Sequence, residues 1–220
     1  MNIIIIANGL FPTVPPVLSL LSGVDKVICC DGALAKYLRW YRTQMPRPHH
    51  EVVVIGDGDS LSPSLLREAQ HESLELTHIQ VDEQEFNDLS KAVFYAMESL
   101  AGEENAKVTI LGATGLREDH TLGNIGLLAY YQQRFPNATF EMPSDYGSFY
   151  TVNGIRTMAS YAGQQVSIFS MQAGFPITVS GLRYPIEGRA FDWLWEGTLN
   201  EALGESFTIE GQHLLVYLKR

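Results

Sequence analysis

The chain has 220 residues, of which 45% are hydrophobic and 18% are charged. These values are typical of a globular protein with one large domain or two small ones. The formal net charge of −10 argues against a nucleic-acid-binding or membrane-binding surface. The charge leaves room for a small anionic ligand, because a divalent cation can bridge carboxylates to phosphate.

The cysteines and the N-terminal segment bear on the cellular compartment. Cys29 and Cys30 are adjacent, and adjacent cysteines rarely bridge each other without strain, so no disulfide framework is expected. The apolar run in "MNIIIIANGL" is too short to span a bilayer and follows no basic residue, so it predicts a first strand and not a signal peptide. These features predict a cytoplasmic protein.

Strands and helices alternate over the first two thirds of the chain. Apolar runs predict strands over residues 3–7, 26–30, 51–56, 76–81 and 107–112. Helices are predicted in "GALAKYLRWY", after a Ser62 cap followed by Pro63, after an Asn87 cap, and in "TLGNIGLLAYYQQR". This alternation predicts an α/β fold, a mainly parallel, Rossmann-like sheet with helices on both faces.

The remaining third of the chain has a different pattern of apolar and turn-forming residues. Short β-rich runs such as "QQVSIFSM" and "HLLVYLK" are separated by Gly, Pro and Asn, which predicts a smaller all-β domain, a sandwich or, as the alternative, a barrel. We therefore predict two domains, covering residues 1–138 and 139–220.

Polar residues follow the predicted strands at their carboxyl ends, where open α/β sheets bind ligands. They are Asn8 and Gly9, Asp31 and Gly32, Asp57 and Asp59, Asn87 and Asp88, and the stretch "GATGLREDH". This convergence is the main sequence signal of a functional site.

The acids suggest a metal. In an extended segment, Asp57 and Asp59 point the same way with Cα atoms about 6.8 Å apart, so both could reach one Mg²⁺. A plain Asp-Gly turn is the alternative. Asp88 could equally complement the dipole of its helix, but Asp31 and Asp88 at neighbouring strand ends favour the metal site.

The loop in "LGATGLREDHTLGN" suggests phosphate binding. Gly112 and Gly115 suit backbone amides that cradle phosphate, and Arg117 is a natural clamp for a polyphosphate. Asp119 could cap the next helix or act in the site, and His120 could be structural. The glycine spacing does not match the dinucleotide fingerprint, which argues against an NAD-dependent enzyme, and the Walker, nucleophile-elbow and zinc-ligand patterns are absent from the sequence.

Several motifs occur here in the order seen in one enzyme family. They are "CCDGALAKYL", "VVVIGDGDSLS", "NDLSKAVFYA", "ILGATGLREDHTLGNIGLL", "GLRYPIEG" and "GTLNEALGE". From about Ile5 to the C-terminus the chain resembles thiamine pyrophosphokinases (thiamine diphosphokinases). The resemblance implies transfer of a pyrophosphoryl group from ATP to the hydroxyl of thiamine, giving thiamine diphosphate and AMP, by a homodimer with thiamine at the subunit interface.

The resemblance also implies roles for individual residues. The metal-binding and catalytic aspartates fall on Asp57, Asp59 and Asp88, with Mg²⁺ as the cofactor. The ATP-binding positions fall on Asn8, Asp31, Gly32, Gly112, Thr114, Gly115, Arg117, His120 and Asn124. Asp119 is a further catalytic candidate. Asp57 or Asp119 could accept the proton of the thiamine hydroxyl.

The thiamine contacts fall in the β-rich tail, on Trp193, Trp195, Thr198 and Asn200. Indole rings suit a cationic aromatic ligand through stacking and cation–π attraction, although a core or dimer contact is the alternative. Where the family has Ser-Asn this chain has Leu199-Asn200, so a hydroxyl is lost, and Thr198 could replace it. Leu116 likewise stands where the family has glycine.

Two other functions fit part of the pattern. One is a pyrophosphokinase for another acceptor, such as a pterin. The other is a thiamine or nucleotide sensor without catalysis, which the retained acidic set argues against, since a sensor needs no metal poised for transfer.

Overall fold

The computed structural model describes residues 1–58, 61–72, 74–83 and 85–220. The chain forms two compact units, Met1–Asn124 and Ile125–Arg220. This division lies inside a helix, whereas the predicted domain boundary lies at residue 138. We retain residue 138 as a proposal, because the next strand pairs with the second unit, as described below. In the described residues, no helix is both long and apolar enough to cross a bilayer.

The first unit contains a parallel sheet with the strand order β5-β1-β2-β3-β4. Its strands are β1 (Ile3–Ile6), β2 (Lys26–Cys30), β3 (Glu51–Gly56), β4 (Leu76–Gln80) and β5 (Lys107–Leu111). Its helices are α1 (Pro15–Leu18), a 3₁₀ helix (Ser19–Gly23), α2 (Ala33–Tyr41), α3 (Pro63–His71), α4 (Asp88–Ser99) and α5 (Glu118–Arg134), the last of which continues past the unit boundary. The predicted α/β fold is confirmed, and strand order reverses between β1 and β5, a position where such sheets bind ligands.

Local signals set the helix starts. The Ser62 side chain accepts a hydrogen bond from the Leu65 amide (3.2 Å), and Pro63 occupies the first helical position of α3. The Asn87 side chain accepts from the Ser90 amide (2.9 Å) and caps α4. Both predicted caps are confirmed, and each satisfies an amide that the helix itself leaves without a partner.

The core of the first unit explains the apolar runs. Strands β1, β2 and β3 are buried on both faces, as expected when helices cover both sides of a parallel sheet. Helix α2 adds Tyr37, whose hydroxyl hydrogen-bonds His50 Nε2 at 2.5 Å. Burial raises the pKa of Tyr37 well above its ordinary value.

The second unit is β-rich, as predicted, and its strands pair in an antiparallel manner. Its strands are β6 (Thr139–Pro143), β7 (Gly147–Ala159), β8 (Gln165–Ser170), β9 (Ile177–Ser180), β10 (Ile186–Arg189), β11 (Gly197–Glu201) and β12 (Ser206–Lys219). Strand β12 pairs with β7, β8 and β9, while β6 pairs with β7, β10 with β9 and β11 with β8.

Strand β12 begins before the run "HLLVYLK" and continues through it. Its register shifts between Gly211 and Leu214, and His213 has a positive φ of 54°. The irregularity changes the neighbour of the strand, because residues 208–210 pair with β9 and residues 214–218 pair with β8. A bulge of this kind bends a strand without ending it.

Candidate active site

Three aspartates meet at the carboxyl ends of the central strands. Asp31 directly follows β2, Asp57 directly follows β3, and Asp88 begins α4. Each offers a carboxylate oxygen, and these oxygens lie within 4.8 Å of one another. Asp31, which the sequence analysis assigned to the nucleotide, therefore lies with the predicted metal ligands. The fourth predicted acid, Asp59, lies outside the described residues.

A glycine makes this approach possible. A Cβ atom at Gly56 would lie 2.9 Å from Asp31 Cβ and 3.3 Å from Asp88 Oδ2, so any other residue would push the carboxylates apart. The donor set consists of oxygen atoms alone, which suits a hard cation such as Mg²⁺. The residues present therefore fit a magnesium ion.

The three carboxylates of the cluster carry more negative charge than the one nearby lysine can neutralise. Desolvation is the main cause that raises the pKa of Asp88; the negative charges of Asp57 and Asp31 add to it, and Lys91 opposes it. The Lys91 side chain is only 5% exposed, and its Nζ lies 3.5 Å from Asp88 Oδ1. Nζ also donates to the Val81 carbonyl at 3.0 Å. Buried lysines need a partner, and this one places a positive charge beside the acids.

The sequence analysis did not select Lys91. The signal that could have found it is its spacing, since residues three positions apart share one helix face. In "NDLSK" the lysine stands three positions after Asp88. A lysine on the same helix face as a half-buried acid is a candidate partner for that acid.

The loops after β1 and β5 are joined by backbone hydrogen bonds. The Gly9 amide donates to the Gly112 carbonyl at 2.6 Å, and the Leu10 amide donates to the Thr114 carbonyl at 2.8 Å. A Cβ atom at Gly9 would lie 2.5 Å from the Gly112 oxygen, so only glycine allows this contact. Asn124 supports the same loop by donating from Nδ2 to the Ala113 carbonyl at 2.7 Å.

The predicted phosphate cradle differs in one respect. The Gly115 amide donates to Thr121 Oγ1 at 3.0 Å, so binding of phosphate by this amide would require that bond to open. Leu116 follows with a positive φ of 70° and a 68% exposed side chain. A left-handed backbone costs a residue with a Cβ about 1–2 kcal/mol.

Arg117 and Asp119 form an ion pair on the exposed start of α5. Arg117 Nη2 lies 2.6 Å from Asp119 Oδ2, and Nε donates to Oδ1 at 3.1 Å. The guanidinium is the main cause that lowers the pKa of Asp119 to about 2. A carboxylate with so low a pKa is a weak proton acceptor. Helix α5 begins at Glu118, so Asp119 lies within its first turn and is not its cap.

Most predicted ATP-binding residues border one cavity of about 350 Å³. Of the predicted site residues, Asn8, Asp31, Asp88, Gly115, Arg117, His120 and Asn124 line it. Gly112 and Thr114 instead contribute their carbonyls to the loop contact described above, and Gly32 precedes α2. The cavity thus brings a guanidinium and two of the clustered acids together.

The aromatic residues predicted for thiamine lie on one turn of the second unit. Trp193 and Trp195 are 69% and 71% exposed, so neither fills a core. Thr198 Oγ1 donates to the Trp195 carbonyl at 2.7 Å. Leu199 is exposed and has a positive φ of 61°.

Asn200 lies on β11 and is 6% exposed. Its Nδ2 donates to the Tyr184 carbonyl at 2.7 Å, and its Oδ1 accepts from the Tyr184 and Glu201 amides at 3.1 and 2.9 Å. The side chain therefore braces the backbone that carries Tyr184. Sequence reasoning singled out this asparagine as a ligand contact but could not show which way its amide faces.

Family models match both parts of the chain. The model described as "Thiamin pyrophosphokinase, catalytic domain" matches residues 17–140, and the model described as "Thiamin pyrophosphokinase, substrate-binding domain" matches residues 147–217. The first alone covers more than half of the chain. A comparison with curated protein sequences gives no significant match.

Solved structures give the same fold at low identity. The thiamin pyrophosphokinase from Candida albicans has a TM-score of 0.81 at 16% identity, over 99% of this chain and 89% of that chain. The enzyme from Bacillus subtilis gives 0.76 at 20% identity, over 100% and 98%. Yeast thiamin pyrophosphokinase gives 0.76 at 14% identity, over 99% and 85%. By the match of its catalytic and substrate-binding parts to the family models, the chain belongs to the thiamin pyrophosphokinase family.

Proposed function

We propose that the chain transfers the pyrophosphoryl group of ATP to the hydroxyl of thiamine, giving thiamine diphosphate and AMP, with Mg²⁺ as the cofactor. The observation that carries this proposal is the cluster of Asp31, Asp57 and Asp88 beside a cavity that also holds Arg117. Acids that repel one another are expected to converge where a cation is bound. The family match adds the reaction type.

Magnesium would be held by Asp57 and Asp88, with Asp31 as a third ligand or as the group that orients them. Asp59 remains a predicted ligand from the sequence. When bound, the ion would neutralise charge on the triphosphate. Arg117 would bind phosphate oxygens from the same cavity, and its guanidinium geometry suits two oxygens at once.

The reaction needs one bond to form and one to break. The thiamine oxygen bonds to the β-phosphorus of ATP, the bond from that phosphorus to the α,β-bridging oxygen breaks, and AMP leaves with that oxygen. The hydroxyl proton passes to a base. Asp57 and Asp119 remain the two candidate acceptors for this proton.

For thiamine, we propose Trp193 and Trp195 as the contacts. Both rings are exposed on one turn, and a cationic aromatic ligand gains about 0.5–2 kcal/mol on such a ring. Thr198 supports the turn through its hydrogen bond to the Trp195 carbonyl, whereas Asn200 braces the backbone at Tyr184. We assign Thr198 a role in positioning the rings and Asn200 a role in holding the backbone at Tyr184.

A homodimer is part of the proposal. The turn and its surroundings expose several large apolar side chains: Tyr184, Trp193, Leu194, Trp195, Leu199 and Leu203. Exposed apolar groups of this size are typical of interaction sites, and a second copy would cover them. Light scattering that shows a monomer at micromolar concentration would contradict this. A cytoplasmic location also remains a prediction.

Product analysis tests the function directly. The protein is mixed with ATP, Mg²⁺ and thiamine, and the products are identified by mass. We expect AMP and thiamine diphosphate in equal amounts and no turnover when a hydroxymethyl pterin replaces thiamine. AMP formation with the pterin alone would favour the other acceptor, and tight thiamine binding without AMP would favour a sensor.

A further inference from the structure

Lys91 lies almost fully buried beside the acidic cluster, and the proposed reaction gives this lysine no role. It belongs to α4, the helix that begins at Asp88, and its side chain is only 5% exposed. Taking an ammonium group out of water costs free energy unless the group is paired. A lysine in such a place is therefore expected to serve the groups that it contacts.

The Lys91 ammonium contacts two groups at the carboxyl edge of the parallel sheet. Nζ lies 3.5 Å from Asp88 Oδ1 and donates to the Val81 carbonyl at 3.0 Å. Val81 directly follows β4, and its amide donates to the Gly56 carbonyl at 2.9 Å. Gly56 ends β3 and precedes Asp57. The lysine is thus held by backbone that is bonded to the strand carrying Asp57, so its charge has a fixed place beside the acids.

The acidic cluster needs positive charge to stay together. Its three carboxylates, whose oxygens lie within 4.8 Å of one another, repel each other. One ammonium offsets one of these negative charges, and a divalent ion would offset the other two. Lys91 and Mg²⁺ are both positive and would both lie beside the same carboxylates, so each stabilises the acids and each repels the other.

We propose that Lys91 is the resident counter-ion of the acidic cluster: it stabilises the acids while no ion is bound, and it weakens the binding of free Mg²⁺. This inference rests on the proposed function, because it takes the cluster to be the magnesium site. Lys91 is then a positioning residue, since its ammonium acts through the carboxylates. A site with weakened affinity for the free ion takes up Mg²⁺ together with the triphosphate, whose oxygens add to the attraction for the ion.

Calorimetry with Mg²⁺ alone, in the absence of nucleotide, tests the inference. Lys91→Gln keeps a hydrogen-bond donor and removes the charge, whereas Lys91→Arg keeps the charge. We expect the Kd of Mg²⁺ to fall at least about tenfold in Lys91→Gln, because a positive charge close to the ion is lost. In Lys91→Arg the Kd should stay within about threefold of the wild-type value. Loss of a lysine with a structural role alone would leave Mg²⁺ binding unchanged or weaken it.

Thermal unfolding of Lys91→Gln supplies a second readout. Without Mg²⁺, this variant should melt about 5–10 °C below the wild type, because the acids lose their counter-ion. Saturating Mg²⁺ should reduce the difference in melting temperature, since the ion binds the folded variant more tightly than it binds the folded wild type.

Lys26→Gln is the matched control. Lys26 Nζ lies 3.2 Å from Glu51 Oε2, and its side chain is 12% exposed, so this lysine is also largely buried and paired with an acid. The pair lies at the amino ends of β2 and β3, opposite to the edge that carries the cluster. Lys26→Gln removes the same charge, and it should lower the melting temperature without changing the Kd of Mg²⁺.

Four results would overturn the inference. They are a Kd of Mg²⁺ that is unchanged or higher in Lys91→Gln, an equal fall of the Kd in Lys91→Arg, an equal fall in Lys26→Gln, and a Lys91→Gln protein that stays unfolded in saturating Mg²⁺. A Lys91→Gln protein that folds only with Mg²⁺ would support the inference, because the ion then replaces the ammonium.

The proposed function is tested separately. It fails if the wild type forms no AMP and no thiamine diphosphate in the product analysis described above. Equal Mg²⁺ affinities in the wild type and Lys91→Gln, together with normal product formation by the wild type, would remove the counter-ion role alone. The two failures are therefore distinguishable.

Discussion

The two units build their candidate sites in different ways. In the first unit, acids far apart in sequence converge because parallel strands end at one edge of a sheet. In the second, the exposed tryptophans proposed for thiamine lie on one turn, and the side chains of Glu196 and Thr198 brace that turn. The first arrangement depends on sheet topology, whereas the second depends on local hydrogen bonds. The two sites should therefore respond differently to substitution.

The largest effect is expected in the acidic cluster. Asp57→Asn and Asp88→Asn each remove a proposed metal ligand while keeping the side-chain size. Loss of one such carboxylate should cost several kcal/mol of transition-state stabilisation, so kcat/KM should fall at least a few hundredfold. Steady-state AMP release at several Mg²⁺ concentrations measures this.

Asp25→Asn is the matched control. Asp25 precedes β2, at the amino end of the sheet, and accepts a hydrogen bond from the Asn2 amide at 2.6 Å. Its substitution should leave kcat/KM unchanged. Near-normal turnover in the Asp57 and Asp88 variants, with the fold verified, would remove them from the metal site.

The next effect is on stability and concerns Asn200. Asn200→Ala removes three hydrogen bonds from a buried site, which should cost about 2–3 kcal/mol of unfolding free energy. In a chain of this size the melting temperature should fall by about 5–10 °C. Thermal unfolding followed by circular dichroism measures the change.

Asn153 offers a comparison within the same unit. It is exposed on β7, so Asn153→Ala should change the unfolding free energy by no more than about 0.5 kcal/mol. An Asn200→Ala protein that melts like the wild type but binds thiamine poorly would show that the amide acts on the ligand. That result would contradict its role as a brace.

A smaller effect is expected for the exposed rings. Trp195→Ala and Trp193→Ala should each raise the KM for thiamine roughly five- to thirtyfold, which corresponds to a cation–π contact of about 1–2 kcal/mol. The KM for ATP should not change. Tyr161→Ala is the control, because Tyr161 is an exposed aromatic residue in the turn after β7. A rise in both constants would indicate a disturbed fold.

The sequence predicted the first unit well because its signals are local. The apolar runs, the caps at Ser62 and Asn87 and the acids that follow strands can all be read from neighbouring residues. The partnership of Asp31 with Asp57 could not be read in this way. It requires β2 to lie beside β3 with Cys30 opposite Ile55, and that pairing is set by the whole sheet.

The features that the sequence did not predict depend on which hydrogen bonds the polar groups already make. The Gly115 amide was predicted to face phosphate and instead donates to Thr121, because the first turn of α5 places that hydroxyl nearby. Asn200 was predicted to face thiamine, and its amide is used by the backbone of Tyr184. Motif spacing identifies residues, but it does not determine which hydrogen bonds they already make.

The smallest effect concerns two ion pairs between an arginine and a carboxylate, one in each unit. The pKa of Asp119 is lowered to about 2, mainly by Arg117. The pKa of Glu196 is also lowered, but mainly by the amides of Trp193 and Asp192, with Arg189 as a lesser cause. Removing the arginine should therefore have unequal consequences in the two pairs.

In Arg117→Gln, the pKa of Asp119 should rise towards the ordinary aspartate value of about 3.9. It should stay below that value, because the His120 amide still donates to Oδ1 at 2.9 Å. In Arg189→Gln, the pKa of Glu196 should remain low. Carbon-13 NMR titration of the carboxyl groups, assigned with Asp119→Asn and Glu196→Gln, measures both.

The sign of the pH effect follows from these directions. A carboxyl group whose pKa is lowered by folding stabilises the protein above its unfolded pKa, and this contribution is lost as the pH falls through its folded pKa. For Asp119 the loss should occur between about pH 4 and pH 2, and Arg117→Gln should remove most of it. For Glu196 the acid-dependent contribution should survive Arg189→Gln, because the turn that carries Trp193 supplies the donors. Equal pKa changes of Asp119 and Glu196 in the two variants would mean that Glu196 depends on Arg189 as much as Asp119 depends on Arg117. That result would contradict the proposed difference between the two units.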